Sequence, residues 1–272
     1  MAPPAEAPFV ALVEVLGANA LAGFFVLLAA VLAAVAMLGV SLGRLARLQR
    51  RARAHPYATL FVRLLFGLAL IVGAAYALAE IAEAIAPGEE LARLDLAFSD
   101  AVIANTPESA RQVFAWISHL GDPITLAVLG VVAVLALLAR GERLLGVAVA
   151  IAMGGNALLN PALKHAFARP RPLHHAGPTP FEGYSFPSGH SSGALVAYGM
   201  LAYVLIRILP RGWHLPAAML CAATAFSVGA SRIFVQAHFA TDVVAGFASG
   251  GAWLTICILT VEWMHRERHA KP

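Results

Sequence analysis

The chain has 272 residues, of which 60% are hydrophobic and 12% are charged, and its formal net charge is +4. Ordinary soluble domains are about 45–50% apolar and about 25% charged, so this composition excludes such a domain and indicates an integral membrane protein. The two cysteines, Cys221 and Cys257, both lie inside apolar runs, which argues against a disulfide framework or a cysteine-based metal site.

Apolar runs recur along the chain, and a helix of about 20 apolar residues spans a hydrocarbon core of about 30 Å. The runs are continuously apolar, whereas the strands of a membrane β-barrel would alternate apolar and polar residues. We therefore predict an all-α integral membrane bundle of about seven helices. The first residues lack the basic segment of a cleaved signal peptide, so we expect the first run to remain as an anchor. The predicted helices lie near 18–41, 58–86, 122–139, 144–166, 189–209, 215–232 and 239–262.

Arginine and lysine concentrate in four segments that fall on one membrane face in a seven-helix count. Short basic loops stay in the cytoplasm, so we expect a cytoplasmic C-terminus and an outer N-terminus in a bacterial-type inner membrane. Most acidic residues fall towards the outer face. The basic residues of the four segments are Arg44, Arg47, Arg50, Arg51, Arg53, Arg140, Arg143, Arg207, Arg211, Arg266, Arg268 and Lys271.

The segment 87–121, between the second and third predicted helices, is too polar to span the membrane. Apolar residues recur at helical spacing over 91–103 with charged residues between them, which predicts an amphipathic helix lying in the interface. Thr106-Pro107-Glu108 predicts the start of a second helix, with Thr106 as its cap. Two compatible interpretations remain: a surface helix that covers the bundle, or a lateral gate beside a lipid site.

Three polar stretches carry positive charge on the outer face, where the cytoplasmic preference of basic loops does not explain it. The stretch 164–172 leaves the fourth helix, 187–190 (Pro-Ser-Gly-His) begins the fifth, and 231–242 joins the sixth to the seventh. By parity of membrane crossings all three lie at one level, so we expect them to meet. Together they supply cations, two histidines, a hydroxyl, a helix N-terminus and a carboxylate, which are the groups that a phosphate anion requires.

The candidate phosphate ligands are backbone donors and three cations. Backbone N–H groups at Ser188 and Gly189, at the start of a helix, have no intrahelical partner and can bind an anion. Lys164, Arg171 and Arg232 can neutralise the phosphate oxygens as charge spreads in phosphoryl transfer.

The candidate catalytic residues are two histidines and one aspartate. His238 and Asp242 stand at i and i+4, hence on one helix face. Asp242 can accept a proton from one ring nitrogen and leave the other nitrogen free to attack phosphorus. His190, from a different helix, can protonate the departing oxygen. Activity that needs one neutral and one protonated histidine predicts a bell-shaped dependence on pH.

These motifs resemble those of the type 2 phosphatidic acid phosphatase family, which includes lipid phosphatases, glucose-6-phosphatase and vanadium haloperoxidases. The family pattern is K-x6-RP, PSGH and SR-x5-H-x3-D, and the three stretches match it in every motif residue. The resemblance covers about 57–263, six of the seven predicted helices. It implies a phosphohistidine mechanism with His238 as nucleophile and His190 as general acid, without a metal or other cofactor.

We expect three parts: an N-terminal transmembrane helix with a basic cytoplasmic connection at 1–56, a lipid phosphatase core at 57–263, and a basic cytoplasmic tail at 264–272. The expected reaction is hydrolysis of a phosphomonoester or pyrophosphate of a phospholipid, polyprenyl or lipid A substrate at the outer face. The partners are this lipid and the bilayer, with no nucleic acid, and the sequence leaves the oligomeric state open. Headgroup selection is expected in 173–186 and 87–121.

Several alternatives compete with hydrolysis. The same phosphohistidine could pass its phosphoryl group to a second lipid, and no residue identifies the acceptor. A lipid transporter or scramblase would place polar residues along broken helices in two repeats, neither of which is seen, and the membrane setting disfavours haloperoxidase chemistry. For Arg169 two expectations remain, that it binds lipid headgroups or that it binds no ligand. The spacing of His165, His174 and His175 disfavours a zinc site.

Overall fold

The computed structural model describes residues 7–52, 56–86, 88–171 and 183–270, and within these ranges the chain forms helices and turns without a strand. The α-helices of this described part, in chain order, are α1 (Ala7–Ala18), α2 (Ala20–Ala52), α3 (Pro56–Ala84), α4 (Glu90–Asn105), α5 (Glu108–Ser118), α6 (Pro123–Ala139), α7 (Arg143–Phe167), α8 (Gly189–Ile208), α9 (His214–Phe234) and α10 (Ala240–Ala270).

Six helices of the described chain are long and apolar enough to cross a membrane, and the number rises to seven if a bent pair of helices is counted as one span. The pair consists of Glu108–Gly121, which contains α5, and Pro123–Ala139, which is α6, and the two meet at 44°. The 17 residues of α6 extend over about 26 Å, slightly less than the hydrocarbon thickness of about 30 Å. The predicted all-α membrane bundle of about seven helices is confirmed.

The helix boundaries differ from the prediction mainly at the two ends of the chain. The sequence does not predict α1, because its 12 residues run as apolar sequence almost directly into α2. Asn19 separates the two helices and donates its side-chain amide to the carbonyl of Val15 at 2.8 Å. Both α2 and α10 extend beyond their predicted ends, to Ala52 and Ala270, since arginine, leucine and glutamate favour continued helix.

The segment 87–121 forms two helices as predicted, but Thr106 does not cap the second one. Helix α5 begins at Glu108 with Pro107 as its N-cap residue and without a side-chain capping bond. Thr106 is buried, and its N–H donates to the carbonyl of Val102 at 3.0 Å, so it ends α4 instead. Helix α1 packs on α4 at the surface of the bundle.

The bundle is organised around α8, which packs against α7, α9 and α10. An aromatic cluster near the motifs attaches α2, the helix outside the expected phosphatase core. Phe24 of α2 meets Phe114 of α5 edge-on, with ring centroids 5.0 Å apart, and Phe114 stacks on Phe234 of α9 at 3.9 Å. The opposite half of the bundle has an aliphatic core, which includes Leu137, Leu145, Val149, Met200, Val204 and Val261.

Helices α8 and α10 approach closely at two glycines of α10. A Cβ atom at Gly246 would lie 2.5 Å from the carbonyl oxygen of Ser188, and one at Gly250 would lie 2.8 Å from Cα of Ser192. Such separations are too short for real atoms, so the two backbones can touch here only where side chains are absent. The contact brings together the starts of α8 and α10, which carry parts of two motifs.

Replacing Gly250 by alanine is expected to destabilise the protein, because the added methyl group meets the backbone of Ser192. Overpacking of this kind costs about 1–3 kcal/mol. Gly251→Ala is the matched control, since a Cβ there would lie 3.5 Å from Cδ2 of Leu195, an ordinary contact. Thermal unfolding in detergent should give a lower Tm for Gly250→Ala than for Gly251→Ala, and equal values would contradict the close packing.

Candidate active site

A cavity of about 1160 Å³ lies between α5, α6, α7 and α8, and residues of all three motifs line one end of it. Two predicted site residues, Ser188 and Asp242, are fully buried behind this wall. The three distant stretches therefore meet at one end of the bundle. The predicted site residues that line the cavity directly are Lys164, Arg171, Gly189, His190, Arg232 and His238.

The first motif takes its shape from the end of α7. Ala168 adopts a left-handed conformation with φ 49°, and its N–H donates to the carbonyl of Lys164 at 2.9 Å, which closes the helix. The following turn is held by the N–H of Ser185, which donates to the carbonyl of Arg169 at 2.8 Å. Lys164 consequently lies in the last helical turn and Arg171 just beyond it, so both cations reach the same cavity.

The third motif is shaped by the turn between α9 and α10. Gln236 has φ 56°, and the N–H groups of Ala237 and His238 both donate to the carbonyl of Arg232, at 3.0 and 3.2 Å. Residues other than glycine rarely adopt a positive φ. Buried Gln236 is held there by Ser99 of α4, whose hydroxyl donates to its side-chain oxygen at 2.6 Å. The turn thereby places Arg232 and His238 on one wall of the cavity.

The contacts of His238 define which ring nitrogen carries the proton. Its Nδ1 lies 3.3 Å from Oδ2 of Asp242, and its Nε2 lies 3.3 Å from Nη1 of Arg171. A carboxylate only accepts hydrogen bonds and a guanidinium only donates them. Nδ1–H therefore donates to Asp242, and Nε2 keeps its lone pair. The same oxygen of Asp242 also accepts from the N–H of Phe239 at 3.0 Å.

Burial lowers the pKa of His238 to about 3, which Asp242 partly opposes and the nearby cations Arg232 and Arg171 reinforce. Burial also lowers the pKa of Arg171, against the opposing charge of Asp242. The His238 ring is consequently neutral at neutral pH. A neutral, oriented imidazole has a lone pair available for attack on an electrophile.

His190 is paired with a carboxylate that the sequence analysis does not assign to the site. Its Nε2 donates to Oδ1 of Asp122 at 2.9 Å, and the other oxygen of Asp122 lies 2.7 Å from Nδ1 of His119. Asp122 is the N-cap residue of α6, yet it makes no side-chain capping bond. An aspartate directly before Pro123 is expected to cap a helix, so the local sequence does not predict that Asp122 binds two histidines.

The lysine and one arginine of the phosphate-binding set contact protein groups beside the cavity. Lys164 donates to the carbonyls of Tyr184 and Ser185, the second at 3.3 Å. Arg232 donates to the hydroxyl of Ser118 at the end of α5. Both cations still line the cavity, so they lie within reach of an anion bound there.

The two predicted ligands at the start of α8 have different positions. Ser188 is the N-cap residue, and its hydroxyl accepts a hydrogen bond from the N–H of Ser191 at 3.3 Å, so this side chain serves the helix. Its own N–H donates to the carbonyl of Asp242 at 2.9 Å, so the prediction that this N–H binds the anion is wrong. Gly189 lines the cavity. A Cβ at Gly189 would lie 2.8 Å from Oδ1 of Asn160, so a side chain at this position would crowd α7.

Arg169, for which the sequence suggests either headgroup binding or no ligand, has protein partners instead. It is buried and donates to Asp242 at 2.7 Å and to Asp95 of α4 at 3.0 Å. Helix α4 therefore reaches the third motif as well as covering the bundle. This contact joins the first motif to the third through a residue that lies outside the family pattern.

Some residues of the sequence predictions lie outside the described residues. They are Pro172 of the first motif, His174, His175 and the other residues up to 182 of the segment 173–186, in which headgroup selection is expected. His165, the remaining member of the disfavoured zinc set, packs edge-on against Tyr184.

Sequence comparisons relate the chain to known proteins. Residues 143–266 match the PAP2 superfamily. Phosphatidylglycerophosphatase B of Bacillus subtilis is 33% identical over 163 residues, which are 57% of this chain and 77% of the relative. Lipid A 1-phosphatase of Rhizobium etli is 38% identical over 110 residues, which are 36% of this chain and 42% of that relative.

A solved structure extends the relationship to the fold. The crystal structure of a transmembrane PAP2 type phosphatidylglycerolphosphate phosphatase from Bacillus subtilis matches with a TM-score of 0.65 at 28% identity. The match covers 70% of this chain and 94% of that one. On the sequence match over most of a relative's length, together with the shared fold, the chain belongs to the PAP2 superfamily, the family that its three motifs indicate.

Proposed function

We propose that the protein is a membrane lipid phosphatase that removes a terminal phosphate through a phosphohistidine intermediate. The observation that carries the proposal is the form of the cavity. Cations surround a neutral imidazole at one end, and an apolar groove continues from it along α6 and α7. Such a site fits a molecule with a phosphate at one end and a hydrocarbon chain at the other. The activities named for the relatives, on phosphatidylglycerophosphate and on lipid A, support this substrate class.

The apolar groove is long enough for the chain of a lipid. Its lining on α6 runs from Pro123 to Leu135, about 18 Å at 1.5 Å per residue. Its lining on α7 runs from Lys164 back to Val149, about 22 Å. Half of a hydrocarbon core of about 30 Å is less than either length. The groove therefore reaches the middle of the membrane, where an acyl or prenyl chain from one leaflet also ends.

The proposed reaction has two steps. Lys164, Arg171 and Arg232 bind the non-bridging phosphate oxygens together with backbone N–H groups at the start of α8. Nε2 of His238 attacks phosphorus while the bond to the leaving oxygen breaks, and His190 donates a proton to that oxygen. His190 then removes a proton from a water molecule, which attacks the phosphohistidine, releases inorganic phosphate and restores His238.

Each histidine is oriented by its own carboxylate. Asp242 accepts from Nδ1–H of His238 and stabilises the positive charge that develops on the ring as Nε2 bonds to phosphorus. Asp122 accepts from Nε2–H of His190, so the proton that moves to the leaving group is carried by Nδ1. In this proposal the contact with Asp242 suits His238 to act as the nucleophile, and the contact with Asp122 suits His190 to act as the general acid.

We place the active site on the outer face of a bacterial-type inner membrane, with the C-terminus in the cytoplasm. The basic connections after α6 and α8 lie at the end of the bundle opposite the cavity, which supports this orientation. Exposed tryptophans mark the two interface levels, with Trp116 at the cavity end and Trp213 and Trp263 at the other end.

Purified protein is expected to release phosphate from at least one of phosphatidylglycerol phosphate, phosphatidic acid, undecaprenyl pyrophosphate and lipid A phosphate. His238→Ala should lower this release by more than about 10³-fold, the scale on which the loss of a nucleophile acts. Brief incubation with labelled lipid should leave acid-labile label on the wild type and none on His238→Ala. His165→Ala is the matched control, because His165 is exposed and outside the cavity wall. Wild-type turnover by folded His238→Ala would refute the mechanism.

The dependence of kcat/KM on pH should be bell-shaped. Attack requires neutral His238, whose pKa is lowered to about 3. Activity should therefore persist well below the ordinary histidine pKa of about 6.5 and be lost only as the pH falls through the lowered pKa. The alkaline limb follows deprotonation of His190. Titration of the substrate phosphate, measured separately, corrects the profile. A continuous rise across the accessible range, or a corrected acidic limb near that of a free histidine, would contradict the assignment.

Asp122→Asn should slow hydrolysis of lipid phosphates on the order of 10²-fold, because general acid catalysis of leaving-group departure contributes at least this much. Hydrolysis of p-nitrophenyl phosphate should fall far less, since its phenolate leaves without a proton. Comparing kcat/KM for the two substrates separates an effect on the acid from an effect on folding. Equal losses for both substrates would show that Asp122 does not act through His190.

A further inference from the structure

Arg169 lies at the centre of a buried network that the three motifs do not define. Its Nη1 donates to Oδ1 of Asp242 at 2.7 Å and to the hydroxyl of Thr241 at 2.8 Å, and its Nη2 donates to Oδ2 of Asp95 at 3.0 Å. Its guanidinium also lies 4.3 Å from the ring centroid of Phe239. Arg169, Asp95 and Asp242 are 8%, 4% and 0% exposed. The guanidinium is thus committed to protein groups on several sides.

Helix α4 holds the other end of this network. Asp95 accepts from the hydroxyl of Thr241 and from its N–H, the latter at 3.3 Å. One turn later, Ser99 donates to Gln236 at 2.6 Å. Gln236 precedes His238 in the sequence and Thr241 follows it, so α4 is hydrogen-bonded to the nucleophile turn, residues 236–241, on both sides of His238.

The two oxygens of Asp242 have separate partners. Oδ2 accepts from Nδ1 of His238 and from the N–H of Phe239, whereas Oδ1 accepts from Arg169. A carboxylate held at one oxygen only can rotate about its own bond. The guanidinium at Oδ1 removes this freedom, and it also supplies the cation that a buried carboxylate requires. Asp95 then balances the charge of Arg169 and holds its planar fork in place.

We propose that Arg169 and Asp95 are positioning residues for the nucleophile: Arg169, anchored to α4 by Asp95, orients the carboxylate that aligns His238. This inference rests on the proposed function, because it concerns the alignment of a nucleophilic histidine. It assigns α4 a part in positioning the nucleophile, because Asp95 of this helix anchors a series of hydrogen bonds. The series runs from Asp95 through Arg169 and Asp242 to His238.

Charge around His238 makes this role measurable. Arg169 places a positive charge against Asp242, on the side opposite His238. Without Arg169, the His238–Asp242 pair should hold a proton to higher pH. The charged and titratable groups that surround the pair are Asp95 on α4, Lys164 at the end of α7, Arg169 and Arg171 beyond it, His190 on α8 and Arg232 on α9.

The test uses full-length protein in detergent with a lipid phosphate substrate. Arg169→Gln should lower kcat on the order of 10²-fold, the scale of a small misplacement of a reacting group, with KM little changed. Its acidic limb should move to higher pH by about 1 unit. Arg169→Lys keeps the positive charge but loses the planar guanidinium. It should bring the acidic limb of the pH profile close to its wild-type position while restoring kcat less completely.

Two further variants keep the test decisive if Arg169→Gln folds poorly. The double variant Asp95→Asn with Arg169→Gln removes a cation and an anion together, so it should fold, and its kcat should match that of Arg169→Gln alone because Asp95 acts through Arg169. Ser99→Ala is the control on the same helix. It removes a buried hydrogen bond to the nucleophile turn without altering charge, and its acidic limb should stay where the wild type has it.

His238→Ala is measured in the same assay. An active His238→Ala would overturn the proposed function itself. An inactive His238→Ala, combined with a wild-type kcat and an unshifted limb for Arg169→Gln, would overturn only the role of Arg169. A loss of activity in Arg169→Gln that merely follows the loss of folded protein, again with an unshifted limb, would reduce the network to structural support and would also overturn the proposal.

Discussion

The structure depends on the pairing of charges at one end of an apolar bundle. Arg169, Arg232, His238, Asp95 and Asp242 are all less than a tenth exposed, and an isolated charge at such a depth would be strongly destabilising. Arg169 donates to both Asp95 and Asp242, and Asp242 also lies against His238, so these charges offset one another. Arg232 donates to the hydroxyl of Ser118. The contacts that allow these groups to be buried also hold His238, the proposed nucleophile, in place.

The spans and the meeting of the motifs could be predicted because each leaves a local signal. The apolar runs have the length of a membrane helix, the basic loops set their direction, and the parity of crossings brings 164–172, 187–190 and 231–242 to one face. The missed helix lacks such a signal, because a single residue, Asn19, separates α1 from α2 and the sequence around it is mainly apolar. Ser188 shows the converse, since its side chain makes the local capping bond that its position favours.

The rest of the site could not be predicted, because it is built from contacts between distant helices. Asp122 lies where a helix-capping residue is expected, and Asp95 lies among the polar residues of an amphipathic helix. Arg169 lies between the end of a helix and two prolines, a position that indicates no particular partner. The bonds from His190 to Asp122 and from Arg169 to Asp95 join residues 68 and 74 positions apart. No spacing rule connects such pairs, so they become visible only when the bundle is assembled.

The close contact of α8 with α10 lies apart from the walls that α6 and α7 give to the apolar groove. Since main-chain atoms touch at Gly246 and Gly250, backbone contact sets the separation of these two helices. The groove is lined mainly by α6 and α7, with Gly193 and Val196 of α8. Substitutions on α6 and α7 therefore change the shape of the groove without altering the contact between α8 and α10.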